Sequence, residues 1–373
     1  MKEPIRILML FTNMNRGGAE TMVMNYYRNI DRTRVQFDFM VHREERGAYE
    51  DEIEAMGGRI YRMIPFHPLT FRKYRKLVAA FFDAHPEYRI IHGHCSELGY
   101  FFYKEARKRG IPVIIAHAHN SHALFDAKWP FRWYFKHAMR KYITQVFSCG
   151  EESAQWLAGK ELAKSAVLQR NSIDTQVYAY QSPHRKEICQ ELQLPEDAVI
   201  IGHVGRFNLQ KNHAFLLDIF HGLVGQCPKA HLLLVGVGEL MDEMKAKVAK
   251  LGLDEHVHFL GVRSDVPKLL HTMDLFLFPS FMEGLSVSMV EAQSAGLPCV
   301  VSDTIPVEVA MTDLVTFVSL KAPVADWVAQ IQAVLAKEND RTQYPAIITE
   351  RGYDIQKNAE WLQNYYLEQW QKH

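Results

Sequence analysis

The chain has 373 residues, room for two compact domains of about 150 residues each. Apolar residues make up 48% and aromatics 12%, with 21 Gly and 15 Pro, which excludes a disordered chain, a collagen-like repeat and a disulfide-stapled miniature. Lys+Arg and Asp+Glu number 43 each, and that zero net charge argues against a protein built mainly to coat nucleic acid.

Short apolar runs alternate with longer amphipathic stretches from end to end. In the first half the expected strands are IRILMLF (5–11), QFDFMV (36–41), RIYRM (59–63), RIIHGH (89–94), PVIIAHA (112–118) and QVFSCG (145–150). Helical patterns lie between them near 18–30, 70–84, 97–109 and 127–142. In the second half, VIIGHVGRF (199–207), HLLLVGVG (231–238), VHFLG (257–261), LFLFPS (275–280) and PCVVSD (298–303) alternate with helices in the same way. Nearly continuous Val/Ile/Leu strands separated by helices imply a parallel sheet covered on both faces. Two such series imply an α/β protein of two doubly wound, Rossmann-like domains, 1–180 and 181–353. The polar stretch YQSPHRKEICQELQLPEDA (180–198) reads as the linker, and an aromatic-faced last helix, 354–373, is expected to complete the first domain.

The N-terminal apolar run lacks a small-residue cleavage site and reads as a buried strand, not a signal peptide. No window approaches 18 unbroken apolar residues, so no bilayer-spanning segment is expected. The five cysteines (Cys95, Cys149, Cys189, Cys227 and Cys299) are odd in number and form no C-x-x-C pair. That suits reduced thiols in a cytoplasmic protein.

In open α/β sheets ligands bind beyond the carboxyl ends of the strands, so polar residues directly after strands are the candidates. TNMNRGGAE (12–20) follows the first strand. Gly17 and Gly18 there can bring bare backbone N–H groups to an anion at a helix start. HVGRFNLQKNH (203–213) places Arg206 and Lys211 in a strand-to-helix loop, a guanidinium and an ammonium suited to a diphosphate. PSFMEGLSVSMVEAQSAGLPCVVSD (279–303) is the most informative. Glu283 and Gly284 turn the chain, and a helix is expected from about Leu285 to Ala295. Gly296 and Pro298 stop it. The N–H groups at Leu285, Ser286 and beyond carry no acid and form an anion site. Glu291 lies eight residues beyond Glu283, roughly 12 Å at the helical rise. That approximates the span from ribose to sugar in a nucleotide-sugar, and carboxylates accept hydrogen bonds from vicinal hydroxyls.

These residues resemble the family 4 retaining glycosyltransferases of GT-B architecture, close to those of capsular and exopolysaccharide synthesis. The likeness is strongest over 199–303 and extends weakly through RGGAE, IAHAHN and CGEESAQWLAGK…NSID. It implies two Rossmann-like domains facing across a cleft, with transfer of a sugar from a nucleotide-diphosphate donor, UDP by default, to a glycan or polyprenyl-linked acceptor. It assigns the donor diphosphate to Arg206 and Lys211, hydroxyls of the transferred sugar to Glu283 and the ribose to Glu291. Backbone near Val262 and Arg263, with Gly236 nearby, would read the base, and His119 would face the transferred sugar. Ser172 departs from the usual Asn-Gly-Ile-Asp. No Asp-x-Asp triplet occurs, so a metal-independent site without cofactor is expected, with protein cations meeting the leaving diphosphate.

The histidines His92, His94, His117, His119 and His122 invite a metal reading, but the second half supplies phosphate-site loops and no metal carboxylate. A dinucleotide-binding dehydrogenase fails because Met241 occupies the third glycine position of the fingerprint. A GT-B-fold epimerase or a sugar phosphorylase reuses the same cleft. A membrane-surface scaffold is the non-enzyme alternative. It rests on AKWPFRWYFKHAMRKY (127–142), where Lys128, Arg132, Lys136 and Arg140 form a basic stripe beside Trp129 and Trp133, with no acid intervening. Such a helix would dock the enzyme peripherally on the inner face of an anionic membrane. Splitting the chain at 180 gives 27 Lys+Arg against 19 Asp+Glu before it and 16 against 24 after it. The basic half carries the basic-aromatic helix, as docking requires.

Overall fold

The computed structural model describes residues 3–65, 70–119 and 129–373. The chain divides into two compact units, Met1–Ser172 with Ile355–His373, and Ile173–Asp354. The first holds a sheet of β1 (Ile5–Leu10), β2 (Val35–Val41), β3 (Ile60–Arg62), β4 (Ile90–Gly93), β5 (Val113–Ala118), β6 (Gln145–Ser148) and β7 (Val167–Leu168). Its order is β3-β2-β1-β4-β5-β6-β7, all parallel. The second holds β8 (Val199–Val204), β9 (Ala230–Val235), β10 (Val257–Gly261), β11 (Leu275–Phe278), β12 (Cys299–Ser302) and β13 (Val315–Val318). Its order is β10-β9-β8-β11-β12-β13, again parallel.

Central strands are buried on both faces, as their largely apolar runs require: every residue of β2, β4, β5, β11 and β12 is buried, the polar Gln36, Asp38, His92, His117 and Ser302 included. The sequence reading lacks two edge strands, β7 and β13. β7 is two residues long and β13 is only partly buried, so neither leaves a hydrophobic signature.

The expected linker is a correction. Residues 180–198 lie inside the second unit and contain the helix Pro183–Glu191, with Ile188 and Cys189 buried. Arg185 from that helix donates to the carbonyls of Thr272 and Ala198, each at 2.7 Å, and to Asp274 at 2.8 Å. Polar composition misleads here because two apolar side chains carry the packing while the charged ones reach partners at the surface.

The last helix, Ile355–Lys372, packs on the first unit. Tyr366 is fully buried with its hydroxyl 2.6 Å from His92 Nδ1, and the Asp31 backbone N–H donates to Gln363 at 2.7 Å. Counted on these units, Lys+Arg against Asp+Glu is 29 to 20 in the first and 14 to 23 in the second.

Strand order reverses between β1 and β4 in one sheet and between β8 and β11 in the other. Such switch points open a crevice at the strand ends. The sequence candidates after β1, β8 and β11 fall at them.

Candidate active site

In the second unit β8 delivers Gly205 and Arg206. The Asn208 side chain then accepts the Lys211 backbone N–H at 3.1 Å, capping the single turn Leu209–Lys211. Asn212, at φ +56, donates to the Pro279 carbonyl at 3.0 Å and so ties this loop to the end of β11. The result is a fixed Lys211. Its ammonium lies 2.9 Å from Glu283 Oε1 and 4.3 Å from the Phe278 ring centre. The two side chains are only 13% and 7% exposed, so the pair is pre-formed in a place poor in water.

Arg206 behaves differently. Its guanidinium stands at the surface, 64% exposed, 3.2 Å from Glu239. The structure brings Lys211 to Glu283 and leaves Arg206 on the rim with Glu239. An exposed pair of this kind contributes little stability and leaves the arginine able to turn to an arriving anion. Gly236 at the end of β9 has φ +134, and a Cβ there would meet the Gly205 carbonyl oxygen at 2.1 Å. Only glycine allows the loop after β9 to lie on the turn that carries Arg206.

The helix after Glu283 runs Val287–Ser294, starting later than the sequence reading from Leu285. Ser286 is its extended N-cap and no acid sits in its first turn, so its leading N–H groups keep their positive potential. Leu285 is buried, and the Ser286 and Ser288 hydroxyls are 2.9 Å apart. Gly284 is the turn residue between Glu283 and this cap. Glu291 is nine-tenths buried. Burial pushes its carboxyl up, and a hydrogen bond from the Tyr178 hydroxyl to Oε1, at 2.6 Å, opposes that. Past β10, Val262 is exposed, while the Arg263 guanidinium is held by Asp265 at 2.7 Å and Glu191 at 2.5 Å. Those ion pairs occupy the Arg263 side chain, so what this loop can offer a base is its backbone.

In the first unit Gly17 is the N-cap of the helix Gly18–Asn29. A Cβ at Gly17 would meet Glu20 Oε2 at 2.3 Å, whereas nothing lies within 4 Å of one at Gly18. The Gly17 backbone N–H already donates to the Asn15 carbonyl at 2.9 Å, so it is not presented to an incoming anion. That is a correction for Gly17; Gly18 keeps open space.

His119 belongs to two stacked imidazole pairs at the ends of β4 and β5. His94 Nδ1 is 2.8 Å from His119 Nε2, and His92 Nε2 is 3.0 Å from His117 Nδ1. The pairs stack at ring separations of 4.3 Å (His117 on His119) and 4.5 Å (His92 on His94), with Phe11 beneath His94. Burial pushes His92 down to about 3 and His119 to about 4, keeping both neutral near pH 7. Ring nitrogens of His92, His94 and His117 come within 4.8 Å of one another. A metal lies about 2.0–2.1 Å from each imidazole nitrogen, in the ring plane. His92 and His94 are stacked with planes 17° apart, so they do not converge on one point as placed. His122, and Asn120 of the IAHAHN motif, lie outside the described residues.

The basic-aromatic helix spans Trp129–Met139. Phe131, Trp133 and Tyr134 are exposed at 43%, 48% and 56%. The expected stripe of cations needs correcting. Lys136 stands 4.2 Å over the Trp156 ring, and Arg140 lies past the helix end, donating to the Leu157 carbonyl at 3.3 Å. Lys128 lies outside the described residues.

Sequence reasoning missed Asn208, Phe278 and Tyr178. Asn208 is visible as an N-cap residue three positions before Lys211. The other two carry no motif.

Two family descriptions match the chain: Glycosyltransferase Family 4 over residues 16–177 and Glycosyl transferases group 1 over 184–351. The chain belongs to the family 4 GT-B glycosyltransferases and is a nucleotide-sugar glycosyltransferase. It is 35% identical to EpsF of Bacillus subtilis (strain 168), itself only provisionally a glycosyltransferase, over 97% of this chain and 96% of that one. It is 25% identical to the capsular polysaccharide biosynthesis glycosyltransferase CapH of Staphylococcus aureus, covering 77% and 78%. Among solved structures it resembles HepE of Anabaena, crystallised with UDP, at 19% identity and a TM-score of 0.77, covering 97% of this chain and all of that one. These relatives do not favour an epimerase or a phosphorylase. Among the described residues no helix is long and apolar enough to cross a membrane.

Proposed function

We propose that this chain transfers a hexosyl group from a UDP-sugar to a glycan or polyprenyl-linked acceptor, with retention of anomeric configuration and without a metal. The observation that carries this reading is the buried Lys211–Glu283 pair at the β8/β11 switch point. It offers one cation and one multi-site acceptor side by side. Lys211 meets the charge that develops on the leaving diphosphate, Arg206 swings in from the rim, and the start of the helix Val287–Ser294, capped by Ser286, adds a helix terminus. Glu283 accepts from the sugar hydroxyls and Glu291 from the ribose. The bond from the anomeric carbon to phosphate oxygen breaks as the acceptor oxygen bonds on the same face. The acceptor proton passes to the freed phosphate oxygen, so no enzymic nucleophile is needed. HepE with UDP supports the choice of UDP, and a galactosyltransferase of Escherichia coli, 28% identical over 58% of this chain, acts on a diphosphoundecaprenol-linked sugar.

The test is product NMR for the anomeric configuration together with turnover of Glu283→Ala. An inverted product or wild-type turnover refutes the site.

The exposed ring cluster Phe131, Trp133 and Tyr134, on a unit with an excess of cations, supports peripheral docking on an anionic bilayer at the cytoplasmic face. Co-sedimentation with phosphatidylserine vesicles tests it. Binding equal in wild type and Trp133→Ser/Tyr134→Ser contradicts it.

A further inference from the structure

Glu291 needs support to do what the transferase reading asks. A carboxylate that is nine-tenths buried loses hydration, and an unsupported one takes up a proton instead of accepting hydrogen bonds. Among the described residues its one hydrogen-bond donor is the Tyr178 hydroxyl, 2.6 Å from Oε1, a length usual for an O–H donating to an ionised oxygen. Oε2 is left for a ligand.

Tyr178 is itself held from behind. Its carbonyl oxygen is 3.1 Å from His271 Nε2. A carbonyl only accepts, so Nε2 carries the proton, and in neutral His271 Nδ1 is the lone pair. His184 Nδ1, 2.8 Å away, then supplies the proton to that lone pair. His271 is buried, and burial pushes it down to about 4, so the neutral form holds near neutral pH. The Tyr178 backbone is thus tied to the helix Val266–Thr272, and through it to Pro183–Glu191, while its side chain reaches Glu291. All of these groups lie in the second unit.

We propose that Tyr178 is a positioning residue for the nucleotide: its hydroxyl keeps Glu291 ionised and in the orientation that accepts a ribose hydroxyl, and so sets the preference for ribose over 2′-deoxyribose. This rests on the transferase reading for what Glu291 binds. Tyr178 touches no reacting atom and acts only through Glu291. With Oε1 engaged by the phenol, Oε2 is the oxygen that receives the sugar hydroxyl. Without the phenol the carboxyl is free to rotate and more easily protonated, and a protonated carboxyl accepts less well.

The experiment is calorimetric titration of UDP, GDP and ADP, each beside its 2′-deoxy counterpart, into wild type, Tyr178→Phe and Glu291→Gln, with donor KM and kcat for each. In wild type the preferred ribonucleotide binds at least tenfold more tightly than its deoxy form. In Tyr178→Phe its affinity falls about tenfold, the deoxy form is unaffected, and the two approach equality. KM rises with kcat unchanged, since a ribose contact is the same in ground and transition states. A merely structural role would weaken both nucleotides equally and leave their ratio intact, and that result overturns the proposal. Wild type binding ribo- and deoxynucleotides alike, or binding none of the three, overturns the ribose assignment of Glu291 and the proposal with it.

Discussion

Lys211→Met removes an ammonium and keeps most of its stem, which isolates what the charge does. The Glu283 side chain, 7% exposed, is left without its partner. Breaking a buried pair from one side costs about 3 kcal/mol, because the remaining charge loses its compensation and has little access to water. For a unit of this size that lowers Tm by roughly 6–12 °C. Glu283→Gln leaves Lys211 at 13% exposure over the Phe278 ring and costs less, about 2 kcal/mol. The double variant removes both charges, and its stability returns to within about 1–2 kcal/mol of wild type, a coupling expected of contacting residues. Turnover follows a different course. Removing one preorganised donor at a developing charge costs about 10²–10³ in kcat, so both variants lacking the Lys211 ammonium are nearly inactive, the restabilised double included. Thermal denaturation beside a radiolabelled-sugar transfer assay separates the two effects. A double variant that recovers turnover along with stability would refute the account, since Lys211 would then act only through folding.

Arg206→Ala is expected to leave Tm within about 1 °C, because its ion pair with Glu239 is exposed on both sides, while turnover falls about 10²-fold or more. Equal losses in both readouts contradict the rim role. Gly236→Ala puts a methyl 2.1 Å from the Gly205 carbonyl at a φ that side chains avoid. It is expected to cost about 3 kcal/mol, read by denaturant midpoint, with donor binding lost at the same time. Acid is expected to destabilise the protein. His92, His119 and His213 are depressed by burial to about 3, 4 and 3, against roughly 6.5 in the unfolded chain. Their contribution is fully present above about pH 6.5 and is lost as pH falls toward 4, because only the unfolded chain takes up protons there. Each group contributes at most about 1.4 kcal/mol per pH unit in that window. A Tm at pH 5 equal to that at pH 7 contradicts this.

The strands were legible where most of their residues are buried, because β11 reads as an unbroken apolar run and β1 and β8 as runs broken only by Arg6 and by Gly202 and His203. The candidate residues were legible for a related reason: Arg206, Lys211 and Glu283 lie in the loops that follow β8 and β11, and strand ends at switch points are where parallel sheets present ligand sites. What the sequence hides is pairing across distance. Lys211 sits near Arg206 in the chain but pairs with Glu283 through Asn208 and Asn212, which re-aim the loop. Tyr178 and Glu291 are 113 positions apart, and no local pattern joins them. Residues 180–198 read as a linker because Ile188 and Cys189 are too few to mark a packed helix among so many charges. At Gly17 the position after β1 suggests an anion site, but its backbone N–H is taken by the Asn15 carbonyl in a local turn that no motif marks.

The proposed transfer rests on the second unit binding a nucleoside-diphosphate sugar through Lys211, Glu283 and Glu291. A thermal-shift panel of UDP-, GDP- and ADP-sugars tests it on wild type and on Glu291→Ala. A ligand held by the native state stabilises it by mass action, about 2.7 kcal/mol at a hundred times Kd, or roughly 5–11 °C for a unit of this size. That shift is expected with at least one nucleotide-sugar, UDP-sugar first, and is lost in Glu291→Ala. Stabilisation by NAD alone, or a shift undiminished in the variant, would contradict it.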